Sequence, residues 1–235
     1  MKKLAVFVEG QTEQLFLERL ITEIAGAHTI AIEKRKLTGG SRSRASQVLL
    51  WASAPDQGHK YFVLIVDSST DNRVKSDIHD NYNSLVSSGY SAIIGIRDVF
   101  PEFTHAEINK LRLGLNYRLK TKPIRVVFAL GVMEIETWFI CEHTHFGRIN
   151  SALTPASIKA NLRFDPSVDD IQLRPNPSAD LDAIYKLVGL RYKKDRCSIQ
   201  LTVDRLDYGF LYFSVLDRLP DLKTLVESID GFLTH

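Results

Sequence analysis

The apolar positions of this chain fall into two kinds of block. In one, a short unbroken apolar run is bounded by polar or turn residues, as in Leu4-Ala5-Val6-Phe7-Val8 and Phe62-Val63-Leu64-Ile65-Val66. A strand buried on both faces of a parallel sheet reads this way. In the other, apolar residues recur at helical spacing: Phe16, Leu17, Leu20, Ile21 and Ile24 make one broad helical face. The pattern predicts a strand over 3–8, a turn at Glu9-Gly10, a helix over 12–25 and a strand over 29–33. A loop over 34–44 follows, then a helix from about 46, a strand over 61–66, a helix over 74–88 and a strand over 90–96. A helix over 105–117, a strand over 124–130 and a helix over 134–141 complete the alternation.

Strands alternating with helices of this length predict an α/β fold, a Rossmann-like core whose mainly parallel sheet is flanked by helices. The expected core covers 1–142. Over 143–178, Pro155, Pro166, Pro175 and Pro177 break any sustained period and predict short helices joined by irregular segments. Helices over 179–188 and 220–233 follow, so 143–235 is expected to be a small, mostly helical C-terminal part packed on the core.

Composition narrows the function. At 235 residues and 44% hydrophobic, the chain has enough apolar material for a substantial core. Thirty Lys and Arg against 28 Asp and Glu give a net charge of +2, so any polyanion site must be local. Cys141 and Cys197 lack a CxxC spacing, which argues against a zinc ribbon, suits a reducing compartment and reads as two buried thiols. The apolar run after Met1-Lys2-Lys3 stops at Val8, too short for a signal sequence. No run approaches the roughly 20 residues that cross a bilayer. The expectation is a cytoplasmic protein with no membrane partner.

The predicted core strands run into carboxylates: Glu9, Asp67, Asp98 after Arg97, and Glu134 and Glu136 after Gly131-Val132-Met133. Ligands of open parallel sheets bind beyond the carboxyl ends of the strands, so these acids are expected to gather. Gathered acids repel one another unless a cation joins them, and hard divalent cations take oxygen ligands. The pattern points to metal-assisted phosphate chemistry. Singly, each acid reads equally well as a solvated loop residue or a helix cap. Arg97-Asp98 reads as a local ion pair before Pro101, Asp71 as a cap for the following helix, and Lys193-Lys194 as a solvated charge run.

Val8-Glu9-Gly10-Gln11-Thr12-Glu13, followed by Leu15-Phe16-Leu17, resembles the opening motif of TOPRIM domains, particularly those of OLD-type nucleases and small bacterial stand-alone TOPRIM-like proteins. Leu64-Ile65-Val66-Asp67 is similar to the strand that ends in Asp-x-Asp in those domains. Ser69 stands at the second aspartate position, and Asp71 lies two residues further on. Glu134-Ile135-Glu136-Thr137-Trp138-Phe139 resembles the stand-alone family's acidic-plus-tryptophan element, and Tyr192-Lys193-Lys194 its Tyr-x-Lys element. The resemblance implies a TOPRIM core and a Mg²⁺- or Mn²⁺-dependent nuclease. It implies Glu9, Asp67, Glu136 and Lys194 as catalytic residues, with Glu9, Asp67, Asp71, Glu134 and Glu136 as metal ligands. Nucleic acid is the implied substrate, a separate ATPase the implied controlling partner and phage defence the implied role; a homodimer is compatible. Ser69 keeps a second reading open, a catalytically weak binding or regulatory subunit. A phospho-receiver also gathers acids at strand ends, but this chain lacks a second acid beside Glu9 and a lysine closing the last core strand.

Lys34, Arg35 and Lys36, with Arg42 and Arg44 beyond Gly39-Gly40, put several cations on the predicted loop. They read as a clamp on a nucleic-acid backbone or as an exposed solvated loop. No Walker A sequence is present, so ATP hydrolysis is not expected. His143 and His145 lack a second pair at zinc spacing and read as structural or surface residues. Trp51 and Trp138 read as core or helix-packing residues, and no G-x-S-x-G serine motif occurs.

Overall fold

The computed structural model describes residues 1–39, 46–54, 58–70 and 72–234. Its six strands are β1 (Lys2–Val8), β2 (Ile30–Thr38), β3 (Ser46–Ala52), β4 (Tyr61–Asp67), β5 (Ala92–Asp98) and β6 (Arg125–Gly131), in the sheet order β3-β2-β4-β1-β5-β6. β1 runs parallel to β4 and β5, and β2 parallel to β4; β3 is antiparallel to β2. The fold is mixed α/β, with a mostly parallel sheet flanked by helices and a helical C-terminal part. By contact the chain divides into two compact units, Met1–Arg97 with Lys110–Ala129 and Thr224–His235, and Asp98–Asn109 with Leu130–Lys223. Each unit draws on separated stretches, so the division does not follow a single break at residue 142.

In the first unit Leu4 to Val8 are fully buried, as a strand covered on both faces requires. Helix α1 (Gln11–Ala25) buries Leu15, Phe16, Leu17, Leu20 and Ile21. Its start is tied down by polar residues of the same motif that carries Glu9. The Glu13 carboxylate accepts the Gly10 N–H at 2.9 Å, while buried Gln14 donates to the carbonyls of Arg35 at 3.0 Å and Ile65 at 3.2 Å. Helix α2 (Val74–Ser87) places Val74, Ile78, Tyr82 and Leu85 in a buried cluster with Ala5, Phe7, Leu64, Val66 and Ile93. Gly95 makes that packing fit, because a Cβ there would lie 2.4 Å from the Phe128 ring. Helix α3 (Ile108–Asn116) follows a short 3₁₀ turn, so the predicted helix over 105–117 forms in two pieces.

Two expectations are corrected in this unit. The stretch 34–38 is not loop: β2 continues through Thr38, in register with β4 to Lys36 opposite Asp67. Its cations are accommodated because each meets a partner, Lys34 with Glu18 at 2.6 Å, Arg35 with Glu33, and Lys36 with Asp67 at 3.5 Å. Arg42 and Arg44 lie outside the described residues. The helix predicted from 46 is instead the edge strand β3, bulged opposite Lys34 and Arg35. Its Val48, Leu49, Leu50 and Trp51 are exposed, so this apolar run reflects strand pairing rather than a buried helical face. Trp51 is therefore not a core residue; the Lys34 ammonium lies 5.1 Å from its ring centre.

The second unit is helical: α4 (Glu136–Cys141), α5 (Thr144–Ile149), α6 (Pro155–Leu162), α7 (Pro177–Lys186), α8 (Arg196–Arg205) and the single turn α9 (Tyr208–Phe210). Helix α10 (Pro220–Thr234) begins in this unit and ends in the first. Trp138, Phe139, Phe146 and Tyr185 are buried, as expected for Trp138. Buried Glu142 accepts backbone N–H groups from Thr144, His145 and Asp207, and His145 Nδ1 meets the Glu142 carbonyl at 2.5 Å. That fixes His145 in a structural role. Burial pushes the Cys141 thiol up to about 12, whereas Cys197 is exposed and not the buried thiol expected. Among the described residues no helix is long and apolar enough to cross a membrane.

Candidate functional site

Glu9 and Asp67 come together through strand register in the first unit. Val8, the last residue of β1, lies opposite Asp67 at the end of β4, which puts the two acids on neighbouring strand ends. Both are buried, and both face cations at long range: Arg97 Nε lies 3.5 Å from Glu9 Oε1, and Lys36 Nζ 3.5 Å from Asp67 Oδ2. Arg97 thus pairs with Glu9. Asp67 Oδ1 accepts the Ser69 N–H at 2.7 Å, and the Ser69 hydroxyl donates to the Leu37 carbonyl at 2.8 Å. Where the resemblance places a second aspartate, the chain has a residue stitching β4 to β2. Asp71 lies outside the described residues.

A second polar group is built in the other unit. Gly131 closes β6 where no other residue fits, since a Cβ would sit 2.2 Å from Asp98 Oδ1 and 2.8 Å from the Ile135 nitrogen. The chain then turns through Met133 at φ 61° into Glu134, and Glu136 opens α4. Lys194 itself has φ 54°, and Ser69 has φ 64°. Left-handed backbone at non-glycine residues costs on the order of 1–2 kcal/mol each, and here it recurs beside or at candidate residues.

Glu134 is fully engaged. Its Oε2 accepts the Ser178 N–H at 2.7 Å, and its Oε1 accepts the Ser178 hydroxyl at 2.9 Å and the Lys194 ammonium at 2.9 Å. The Ser178 N–H is available because it lies in the first turn of α7, where intrahelical partners are absent. Asn176 caps that turn by accepting the Ala179 N–H at 3.1 Å. Glu136 has no exposed surface; its Oε1 accepts the Tyr192 hydroxyl at 2.8 Å and lies 3.3 Å from Lys194 Nζ. Its Oε2 is buried and accepts no hydrogen bond.

The electrostatics follow from this geometry. Burial raises the Glu136 carboxyl above its ordinary value, with the Glu134 charge adding to the rise and Lys194 and Tyr192 opposing it. Burial works against the Lys194 charge, but the carboxylates of Glu136, Glu134 and Asp98 outweigh it and hold the ammonium well above the ordinary lysine value. Lys194 is therefore a fixed cation. Asp182 steadies the same segment by accepting the Tyr192 N–H at 2.9 Å and Arg191 Nε at 2.8 Å.

Among the described residues, no group of three or more His, Cys, Asp or Glu is arranged to hold a metal ion. The residues present still fit a hard divalent cation. Their donors are carboxylate oxygens, Glu136 Oε2 is a buried oxygen that accepts no hydrogen bond, and Mg²⁺ ordinarily uses only one or two carboxylates with water and phosphate completing its shell. Of the cations assigned to nucleic acid, Lys34 is buried against Glu18, Arg35 is tied to Glu33 and Gln47, and half-exposed Lys36 stands beside Asp67. Sequence reasoning missed Ser178, Arg97 as the partner of Glu9, and Asp182. Only Ser178 had a local signal, since Asn176-Pro177 is a helix start that leaves first-turn N–H groups available. Comparison of the chain with protein-family models, with curated proteins and with solved structures finds no match.

Proposed function

We propose that this chain is a divalent-metal-dependent phosphodiesterase acting on nucleic acid. The observation that carries the reading is Glu136, a fully buried carboxylate with one oxygen held by Tyr192 beside Lys194 and the other without a hydrogen bond. The Lys194 ammonium offsets part of the cost of burying that carboxylate, and Oε2 is the oxygen left for a second cation. In the first unit Glu9 and Asp67, and in the second Glu136, are each assigned to hold Mg²⁺ or Mn²⁺. Bound there, such an ion supplies charge stabilisation at a phosphoryl oxygen and lowers the pKa of water. Lys194, kept protonated by its acidic neighbours, is assigned to neutralise charge on the phosphate, and half-exposed Lys36 to meet the backbone of the substrate. The resemblance of the segments at Glu9, Asp67, Glu136 and Lys194 to TOPRIM-like nucleases supports the same reading. It alone supports a separate ATPase partner and a role in phage defence; the cysteine usage of the sequence is what supports a cytoplasmic setting.

The test is cleavage of plasmid DNA and total tRNA by the purified chain with Mg²⁺, Mn²⁺ or EDTA, alongside Glu9→Gln. The proposal expects cleavage that EDTA abolishes and Glu9→Gln removes. One observation favours a second reading, a regulatory subunit that retains the fold: the Ser69 hydroxyl at the expected second-aspartate position is committed to the Leu37 carbonyl. Neither cleavage nor divalent-metal binding under these conditions would favour it.

A further inference from the structure

Glu134 and Glu136 are separated by one residue, yet their surroundings differ in kind. Glu134 has donors on both oxygens, two of them from Ser178 and one from Lys194. Shifting that carboxylate toward a metal would strand the Ser178 N–H, leave the Ser178 hydroxyl only Asn176 Oδ1 at 3.1 Å, and release the Lys194 ammonium from Glu134. Glu136 has donors on one oxygen only, and its buried Oε2 accepts no hydrogen bond. A carboxylate that keeps one oxygen oriented and the other open is the better ligand, because binding costs it no existing hydrogen bond.

We infer that the two acids have separate roles, in which Glu134, clamped by Ser178 at the start of α7, positions Lys194, and Glu136 offers its open oxygen to the divalent cation. The assignment rests on the phosphodiesterase reading above and goes beyond it. It moves Glu134 from the metal ligands to the positioning residues, and it gives Ser178, a first-turn residue of α7, a role as the clamp of that carboxylate.

Two measurements test this without relying on activity. In a crystal structure of the full chain soaked with Mn²⁺, the anomalous peak is expected within bonding distance of Glu136 Oε2, with Glu134 still hydrogen-bonded to Ser178. In solution, the Lys194 ¹³Cε resonance of lysine-labelled protein, identified by its loss in Lys194→Arg, is expected to shift in Ser178→Ala and to return in Ser178→Thr. Asn176→Ala is the control, since it removes the cap of α7 and the other acceptor of the Ser178 hydroxyl, at 3.1 Å, and leaves both Ser178 donors to Glu134; it is expected to leave that resonance in place. A Glu134 oxygen on the metal would overturn the assignment, as would equal shifts in Ser178→Ala and Asn176→Ala. Failure of the wild-type chain to bind Mn²⁺ at millimolar concentration would overturn the phosphodiesterase reading and the assignment together. Binding through Glu134 overturns the assignment alone.

Discussion

The Tyr192 hydroxyl donates to Glu136 Oε1 across 2.8 Å, joining residues 56 positions apart in a fully buried hydrogen bond. It orients the carboxylate and leaves the second oxygen open. Removing it leaves Oε1 with only the Lys194 ammonium at 3.3 Å, on a carboxylate with no exposed surface. Tyr192→Phe is expected to destabilise the protein by about 1–3 kcal/mol, the range for loss of a buried hydrogen bond to a charged group. Urea unfolding at neutral pH measures it, and an unchanged midpoint would mean that Glu136 finds another donor.

Asp182 makes the segment that carries Tyr192 and Lys194 acid-sensitive. The Arg191 hydrogen bond, with Lys186 and the Tyr192 N–H, holds the Asp182 carboxyl below its ordinary value despite some burial. A depressed acid contributes stability that is present above its unfolded-state pKa, near 3.8, and is lost as pH falls through the folded value. Asp182→Asn is therefore expected to flatten the fall in stability below about pH 4 and to cost about 1 kcal/mol or less at pH 7, because its partners Arg191 and Lys186 are half exposed and screened by solvent. Denaturant midpoints across that range, for both proteins, give the answer.

Gly131 is required by space rather than by backbone angle. A methyl group there meets Asp98 Oδ1 at 2.2 Å and the Ile135 nitrogen at 2.8 Å, one a buried carboxylate and the other main chain. Gly131→Ala is expected to destabilise by about 1–3 kcal/mol or more, as overpacking does when the neighbour is backbone. Thermal unfolding of the variant checks this, and a wild-type melting temperature would show that the turn into Glu134 can shift.

The basic residues of β2 separate into two classes under the nucleic-acid reading. Lys36 is half-exposed, and Lys34 is buried against Glu18. Lys36→Gln is expected to lower by about one unit the slope of log K against log salt for DNA binding, the effect of losing one phosphate contact. Lys34→Gln is expected to leave that slope alone and lower stability instead. Fluorescence anisotropy at several salt concentrations distinguishes them.

The parts of this protein legible in sequence were those whose burial repeats locally. Leu4 to Val8 and the Phe16, Leu17, Leu20 and Ile21 face predicted β1 and α1, because covering a strand on both faces or a helix on one face leaves a period in the sequence. β3 escaped because Val48 to Trp51 form an exposed edge whose apolar run carries no alternation. The continuation of β2 through Lys34, Arg35 and Lys36 escaped because the partners that neutralise Lys34 and Lys36 are brought by other elements. In the candidate site, Glu9, Asp67, Glu136 and Lys194 stood out as acids after strands and as motif residues. Arg97, which pairs with Glu9, Ser178, which binds Glu134, and Asp182, which holds Arg191 and the Tyr192 N–H, did not, since such pairings are decided by tertiary packing.

The central claim is that these buried carboxylates serve metal-dependent hydrolysis of a phosphodiester. The most direct measurement is the Mn²⁺-dependent cleavage rate of nucleic acid by the wild-type chain and by Glu136→Gln, an isosteric change, with folding of both verified by circular dichroism. The account predicts cleavage by the wild type and a loss on the order of 10²-fold or more in the folded variant, the scale expected when a group acting at the transition state is removed. Cleavage by folded Glu136→Gln at the wild-type rate would contradict it.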